Sequence, residues 1–152
     1  MASATNTNID DAPAGVRKLH YLTSFVRQIK LLIVELHRLY PRDEMIWRVK
    51  ERVILASDQA PVFVVDTVGG YLLPYQRQIY DGNAEFFVEN DYDRELQAGQ
   101  AQERIDLTKY VIPKVKEAWR ASDEAQQQGY VVKVQNLLDA YVEYRMALID
   151  EK

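Results

Sequence analysis

The chain has 152 residues and no cysteine, which excludes disulfides and any thiolate zinc centre. That length is one domain's worth, enough for a single hydrophobic core without covalent staples. The formal net charge of -4 is mild, no apolar run approaches the roughly 18 residues that a membrane helix needs, and the opening MASATNTNIDDAPAG lacks the basic-then-apolar order of a secretory signal.

Residues 1–15 are small, polar and without pattern, and are expected to form a disordered arm ahead of a helical domain over 16–150. From Val16 to Tyr40 the apolar residues Leu19, Leu22, Val26, Ile29, Ile33, Leu36 and Tyr40 recur at spacings of three and four. Phe25, Leu32 and Leu39 widen that stripe, so the spacing predicts a long helix with a broad buried face, packed in a bundle and not in a narrow coiled-coil seam. Pro41 ends it, because the residue before a proline is pushed out of the helical region. A shorter helix over about Arg42–Ala56 places Met45, Ile46, Val49, Val53 and Ile54 on one side. Ser57-Asp58 then offers a cap, with Pro61 tolerated in the next first turn.

The stretch from Pro61 to Leu73 is apolar on nearly every side, through Val62, Phe63, Val64, Val65, Val68, Tyr71, Leu72 and Leu73. An element apolar all round must be covered all round, so it is expected at the centre of the bundle. Its β-branched VFVV start would suit a strand, but no other segment offers a partner strand. Gly69-Gly70 weakens a helix there and marks a close approach of another backbone. Pro74 kinks the helix or starts a new turn, after which Tyr75 to Asp81 continues.

Gly82-Asn83 is a turn, Ala84 to about Leu96 an acidic helix or helical turn, and Gln97 to Arg104 a polar loop. A fifth helix, Leu107 to Ala121, turns Val111, Ile112, Val115 and Trp119 inward, with Pro113 kinking its start. Ser122 is the expected cap of a sixth helix, whose stripe is Tyr130, Val134, Leu137, Tyr141, Tyr144 and Leu148. The expectation is an all-α, single-domain bundle of five to six helices around a central apolar helix at about 61–73.

Chemistry is sparse in this pattern. His20 and His37 fall about 100° apart around one helix and some 25 Å apart along it, too far to share a metal or a proton. The acidic run begins like a calcium loop at Asp81-x-Asn83-x-Glu85, but Phe86 stands where glycine is needed and Tyr92 where a bidentate Glu is needed. Starting at Asp91 fails as well, with Leu96 at the glycine position. Gly69-Gly70 lacks the Lys-Ser/Thr of a phosphate loop, and no GxSxG or HExxH occurs. No catalytic, cofactor-binding or metal-binding residue is assigned, and the chain is read as a non-enzyme.

Charge is divided unevenly along the chain. Residues 16–52 hold nine Lys/Arg against four Asp/Glu, a net +5, and residues 53–108 hold three against ten, a net -7. Such asymmetry steers association, and tyrosine, with ten copies here, is enriched at interface centres. The plain alternatives are solvated helix faces of unlike sign and tyrosines filling boundary positions on helix stripes. Candidate contact residues are Arg17, Lys18, Arg27 and Lys30 on one face and Glu89, Asp91, Tyr92 and Asp93 on the other. A sequence pI near 5.2 disfavours nucleic acid as the partner of the basic helix.

Phe63, Val68, Leu73-Pro74-Tyr75, Ile79, Asp81 and the run Ala84 to Tyr92 form a succession that resembles small all-helical proteins of nucleocytoplasmic large DNA viruses. Val111–Trp119 and Val134–Tyr144 fit the later part of that pattern, which covers residues 31–148 loosely and 63–92 best. The resemblance implies an all-α virion or virus-associated domain with a structural role, such as a minor capsid protein assembled in the host cytoplasm. Its partners would be other structural proteins or copies of itself. The competing reading is an intracellular adaptor or nucleic-acid-associated regulator that uses the basic first helix.

Overall fold

In the computed structural model the described residues are 8–90 and 102–152, with the side chains of 102–109 left aside. They are all-α: α1 Ala14–Leu39, α2 Glu44–Gln59, α3 Pro61–Leu72, a 3-10 turn Leu73–Tyr75, α4 Gln76–Tyr80, α5 Ala84–Glu89, α6 Gln102–Ala121 and α7 Glu124–Glu151. No strand occurs among them. Part of the expected arm is placed: a 3-10 turn spans Ile9–Asp11, and α1 starts at Ala14. Tyr21 Oη donates to Asp10 Oδ1 at 2.8 Å and Arg17 Nε to the Ala12 carbonyl at 3.0 Å, which holds the turn on α1. Residues 1–7 of that arm lie outside the described residues.

The caps differ from expectation in an informative way. Ser57 and Asp58 do not cap α3; they belong to the last turn of α2, and the residue ahead of α3 is Ala60 with Pro61 in the first helical position. Asp43 caps α2 by accepting from the Ile46 N–H at 3.1 Å. Asp123, not Ser122, caps α7, in a capping box with Gln126. Ser122 Oγ instead donates back to the Ala118 carbonyl at 2.7 Å. Gln126 stands three residues after Asp123 and completes the reciprocal pair of bonds, whereas Ala125, three residues after Ser122, cannot. At the α4–α5 turn Gly82 takes a φ of 67°, which favours glycine, and Asn83 caps α5 through the Phe86 N–H.

The core sits between α1 and α7, which run antiparallel. Arg17 meets Asp150 at 3.1 Å near one end, and Lys133 meets Glu35 at 2.9 Å near the other. Between them lie Phe25, Val26, Leu137, Leu138, Ala140, Tyr141 and Tyr144, all buried, with Val65 of α3 and Ile79 of α4. A second, smaller cluster of Ile33, Leu36 and Ile46 joins α1 to α2 and is flanked by Tyr110 and Val111 of α6.

The centre is therefore not α3. That helix buries Val64, Val65 and Gly69, while Val62, Phe63 and Tyr71 are exposed, Phe63 at 51 %. The 26- and 28-residue helices α1 and α7 carry longer stripes and bury each other. Twelve residues of α3 then lie against their groove with one face only. Gly69 shows why α3 can lie so close: a Cβ there would stand 2.1 Å from Cδ1 of Tyr141. The close approach is that of a ring, not of another backbone, and it concerns one glycine of the pair, since Gly70 faces open space.

The two glycines should therefore answer alanine with opposite signs. Gly70→Ala gains helix propensity without a clash and should stabilise by about 0.5–1 kcal/mol. Gly69→Ala gains the same propensity but overpacks Tyr141 by about 1–3 kcal/mol, so it should lower the urea midpoint. A Gly69→Ala protein as stable as Gly70→Ala would show that α3 does not lean on Tyr141.

The corrected centre is also testable. Phe25, fully buried, should cost about 3–5 kcal/mol on truncation to Ala. Phe63, half exposed, should cost about 1 kcal/mol. Chemical denaturation of the two variants measures the difference directly, and equal losses would restore α3 to the centre.

Candidate functional site

The basic face expected on α1 is largely engaged within the molecule. Arg17 pairs with Asp150, Lys18 with Glu151 at 2.8 Å, and Lys30 with Asp58 of α2. Such partly exposed pairs contribute about 0–1 kcal/mol each, but they fix where the side chains point. Arg27 is exposed and has no ion-pair partner among the described residues. On the acidic side, Glu89 is exposed at the end of α5, and Asp91, Tyr92 and Asp93 lie outside the described residues. The structure thus brings Arg17 and Lys18 together at one end of the α1–α7 pair and places Lys30 on the α2 side, so the four cations do not make one surface.

The tyrosines turn inward more than outward. Tyr141 and Tyr144 are buried in the main core. Three others donate to carboxylates on other elements: Tyr21 to Asp10 at 2.8 Å, Tyr80 of α4 to Asp139 of α7 at 2.7 Å, and Tyr110 of α6 to Asp43 ahead of α2 at 2.6 Å. Bonds to a charged acceptor are the stronger class of hydrogen bond. The bonds of Tyr80 and Tyr110 join elements distant in the chain, so no local spacing announces them. The boundary role of tyrosine, with its apolar body and polar tip, accounts for most of this chain's supply.

Asp43 is the best connected of these carboxylates. Oδ1 caps α2 at Ile46 and Oδ2 accepts from Tyr110, while Lys114 Nζ stands 3.8 Å away and 4.9 Å above the Tyr40 ring. The Tyr110 bond is the largest influence holding the Asp43 carboxyl below the ordinary carboxylate range. The same bond raises the Tyr110 hydroxyl. Burial first, then the bonded carboxylate, pushes the hydroxyls of Tyr21 and Tyr80 up to about 12.

One further feature is spatial. An apolar pocket of about 690 Å³, open to solvent on one side, lies beside α6, which lines it with Val111, Ile112, Val115 and Trp119. Leu36 of α1, Val53 of α2, Leu72 of α3, Ile79 of α4, Phe87 of α5 and Val134 of α7 also line it, with Glu35, Gln78 and Lys116 among its few polar residues. The inward stripe expected of α6 is thus the one that lines the cavity, although Val115 is 49 % exposed. Pro113 lies inside α6 and not at its start. No cluster of three or more His, Cys, Asp or Glu able to hold a metal ion occurs among the described residues. Nor is any helix there long and apolar enough to cross a membrane.

The raised tyrosines can be read in solution. A group whose folded pKa is raised lends stability that is whole below its ordinary value and is lost as pH rises through the folded one. In an ultraviolet titration of the phenolate band, Tyr21 and Tyr80 should ionise last, near pH 12. Tyr21→Phe and Tyr80→Phe should each remove one equivalent from that late component and leave the earlier ones unchanged.

No protein-family model matches this chain, and neither a curated protein nor a solved structure shows a significant similarity to it.

Proposed function

We propose that this chain is a non-enzymatic structural and interaction protein, a minor capsid protein or other virion component of a large DNA virus. The observation that carries the reading is the nature of the Leu-Pro-Tyr and Phe-Phe pattern. Its residues pack against one another: the Tyr75 ring lies 5.8 Å from both Phe86 and Phe87, and those two meet edge to face at 5.2 Å. A pattern of packing residues without chemistry suits a part whose work is shape and contact.

The outward surface supports the same reading. Trp47 and Leu55 of α2 and Val62 and Tyr71 of α3 are exposed large apolar side chains on two consecutive helices, the kind of residue that partner surfaces collect. The nucleic-acid alternative is weakened by the engagement of Arg17, Lys18 and Lys30 in ion pairs within the chain. Screened surface charge supplies little affinity, so apolar and aromatic contact would hold a neighbour and the exposed Arg27 and Glu89 would orient it.

Quantitative mass spectrometry of purified particles tests this reading. The expected outcome is presence at a fixed ratio to the major coat protein that survives washing in high salt. Absence from particles, with the protein recovered in soluble host-cell fractions, overturns it in favour of an adaptor or regulator.

A further inference from the structure

A large void with apolar walls is out of keeping with a small domain. Protein interiors pack to the density of organic crystals, with few voids larger than a water molecule. Phe25 and Leu138 in the α1–α7 core follow that rule and have no exposed surface. The pocket beside α6 does not: its volume of about 690 Å³ falls within the roughly 300–1,000 Å³ of small-molecule sites. All seven helices contribute walls, so the site is concave and not a flat face. Its open side lets a molecule enter without any helix moving. Five aromatic rings line it, those of Tyr71, Tyr75, Phe87, Trp119 and Tyr130. Water is a poor occupant for such walls, because it finds few hydrogen-bond partners there.

The polar groups of the lining narrow the class of ligand. Both carboxylate oxygens of Glu35 accept from Lys133 Nζ at 2.9 Å, and Lys116 Nζ donates to the Asn90 carbonyl at 2.5 Å. Asn83 Oδ1 accepts from the Phe86 N–H at 3.2 Å. The side-chain amide of Gln78, half-buried in the lining, has no hydrogen-bond partner among the described residues. An amide both donates and accepts, so it suits a hydroxyl or a carbonyl equally. We propose that the pocket binds one small neutral apolar molecule that carries a single hydroxyl or carbonyl group, as a long-chain alcohol does. Its body lies among the aromatic rings and its polar end meets Gln78. A charged head group is disfavoured, because apolar walls leave a charge without compensation. The site does not depend on the proposed virion role, and its failure would leave that reading where it stands.

Titration with N-phenyl-1-naphthylamine, a neutral dye that brightens in apolar surroundings, tests the site. Its fluorescence should rise to saturation at one dye per chain. At neutral pH, decanol should displace it at about tenfold lower concentration than decanoate or decylammonium, which carry the same chain on a charged head. Val115→Trp fills the pocket from a half-exposed position and should weaken both dye and decanol about tenfold. Leu19→Trp, at an exposed position outside the lining, should change neither. Gln78→Leu should weaken decanol about fivefold and the dye far less. In the unsubstituted protein, decanol should shift the amide resonances of Leu72, Val115 and Val134 and not that of Leu19. Dye uptake that never saturates, equal displacement by decanoate, equal effects of the two tryptophan variants or shifts spread over the whole chain would each overturn the site. Unchanged decanol binding in Gln78→Leu would overturn the placement of the polar end.

Discussion

Three helices meet at the ring of Tyr141. The ring lies 6.2 Å from Phe25 of α1, presses on Gly69 of α3, and belongs to the most buried stretch of α7. Its hydroxyl is not stranded, because Arg145 Nη1, one turn on, donates to it at 3.1 Å. A Cβ at position 69 would run into that ring, so the glycine sets how near α3 comes to the α1–α7 pair. The position of α3 in turn fixes where the 3-10 turn, α4 and the Tyr75–Phe86–Phe87 knot can sit.

The molecule has a tight side and a loose one. Between α1 and α7 the side chains interdigitate, and ion pairs close both ends. On the side of α5 and α6 apolar residues line an open pocket, and α6 is held by Tyr110 donating to Asp43, Tyr40 donating to the Lys114 carbonyl and Lys116 donating to the Asn90 carbonyl. Packing at native density resists opening, because every displaced side chain loses many small contacts at once. A few polar bonds resist less, and each can be removed singly. That contrast leaves the side of α5 and α6 the looser half of the molecule.

Charge and tyrosine take on meanings here that composition alone does not carry. The excess of cations over 16–52 is real, yet three of the four residues singled out on α1 hold other parts of the same chain. Several tyrosines likewise serve internal seams, where a ring covers apolar surface and the hydroxyl reaches a carboxylate. The side chains left facing outward on α2 and α3 are more plainly suited to a partner.

The helices themselves were legible in the sequence. The stripes of α1 and α7, the stop at Pro41, Pro61 at a first helical turn and the Gly82-Asn83 turn all follow from local periodicity and backbone stereochemistry. What periodicity cannot supply is which apolar helix the others cover. Pro61–Leu72 is apolar all round, but burial is shared out by competition, and two longer helices with broad stripes bury each other first. The cap of α7 went to Asp123, which has Gln126 three residues on to return the bond, and not to its neighbour Ser122. The Tyr110–Asp43 bond joins residues 67 apart, and the pocket depends on seven helices arriving together. Local sequence therefore determined the helices and some of their ends, though not the start of α6, which lies at Gln102 inside the stretch 97–104 expected as a loop. The tertiary structure decided the centre, the seams and the pocket, because those depend on contacts between residues that the chain itself keeps far apart.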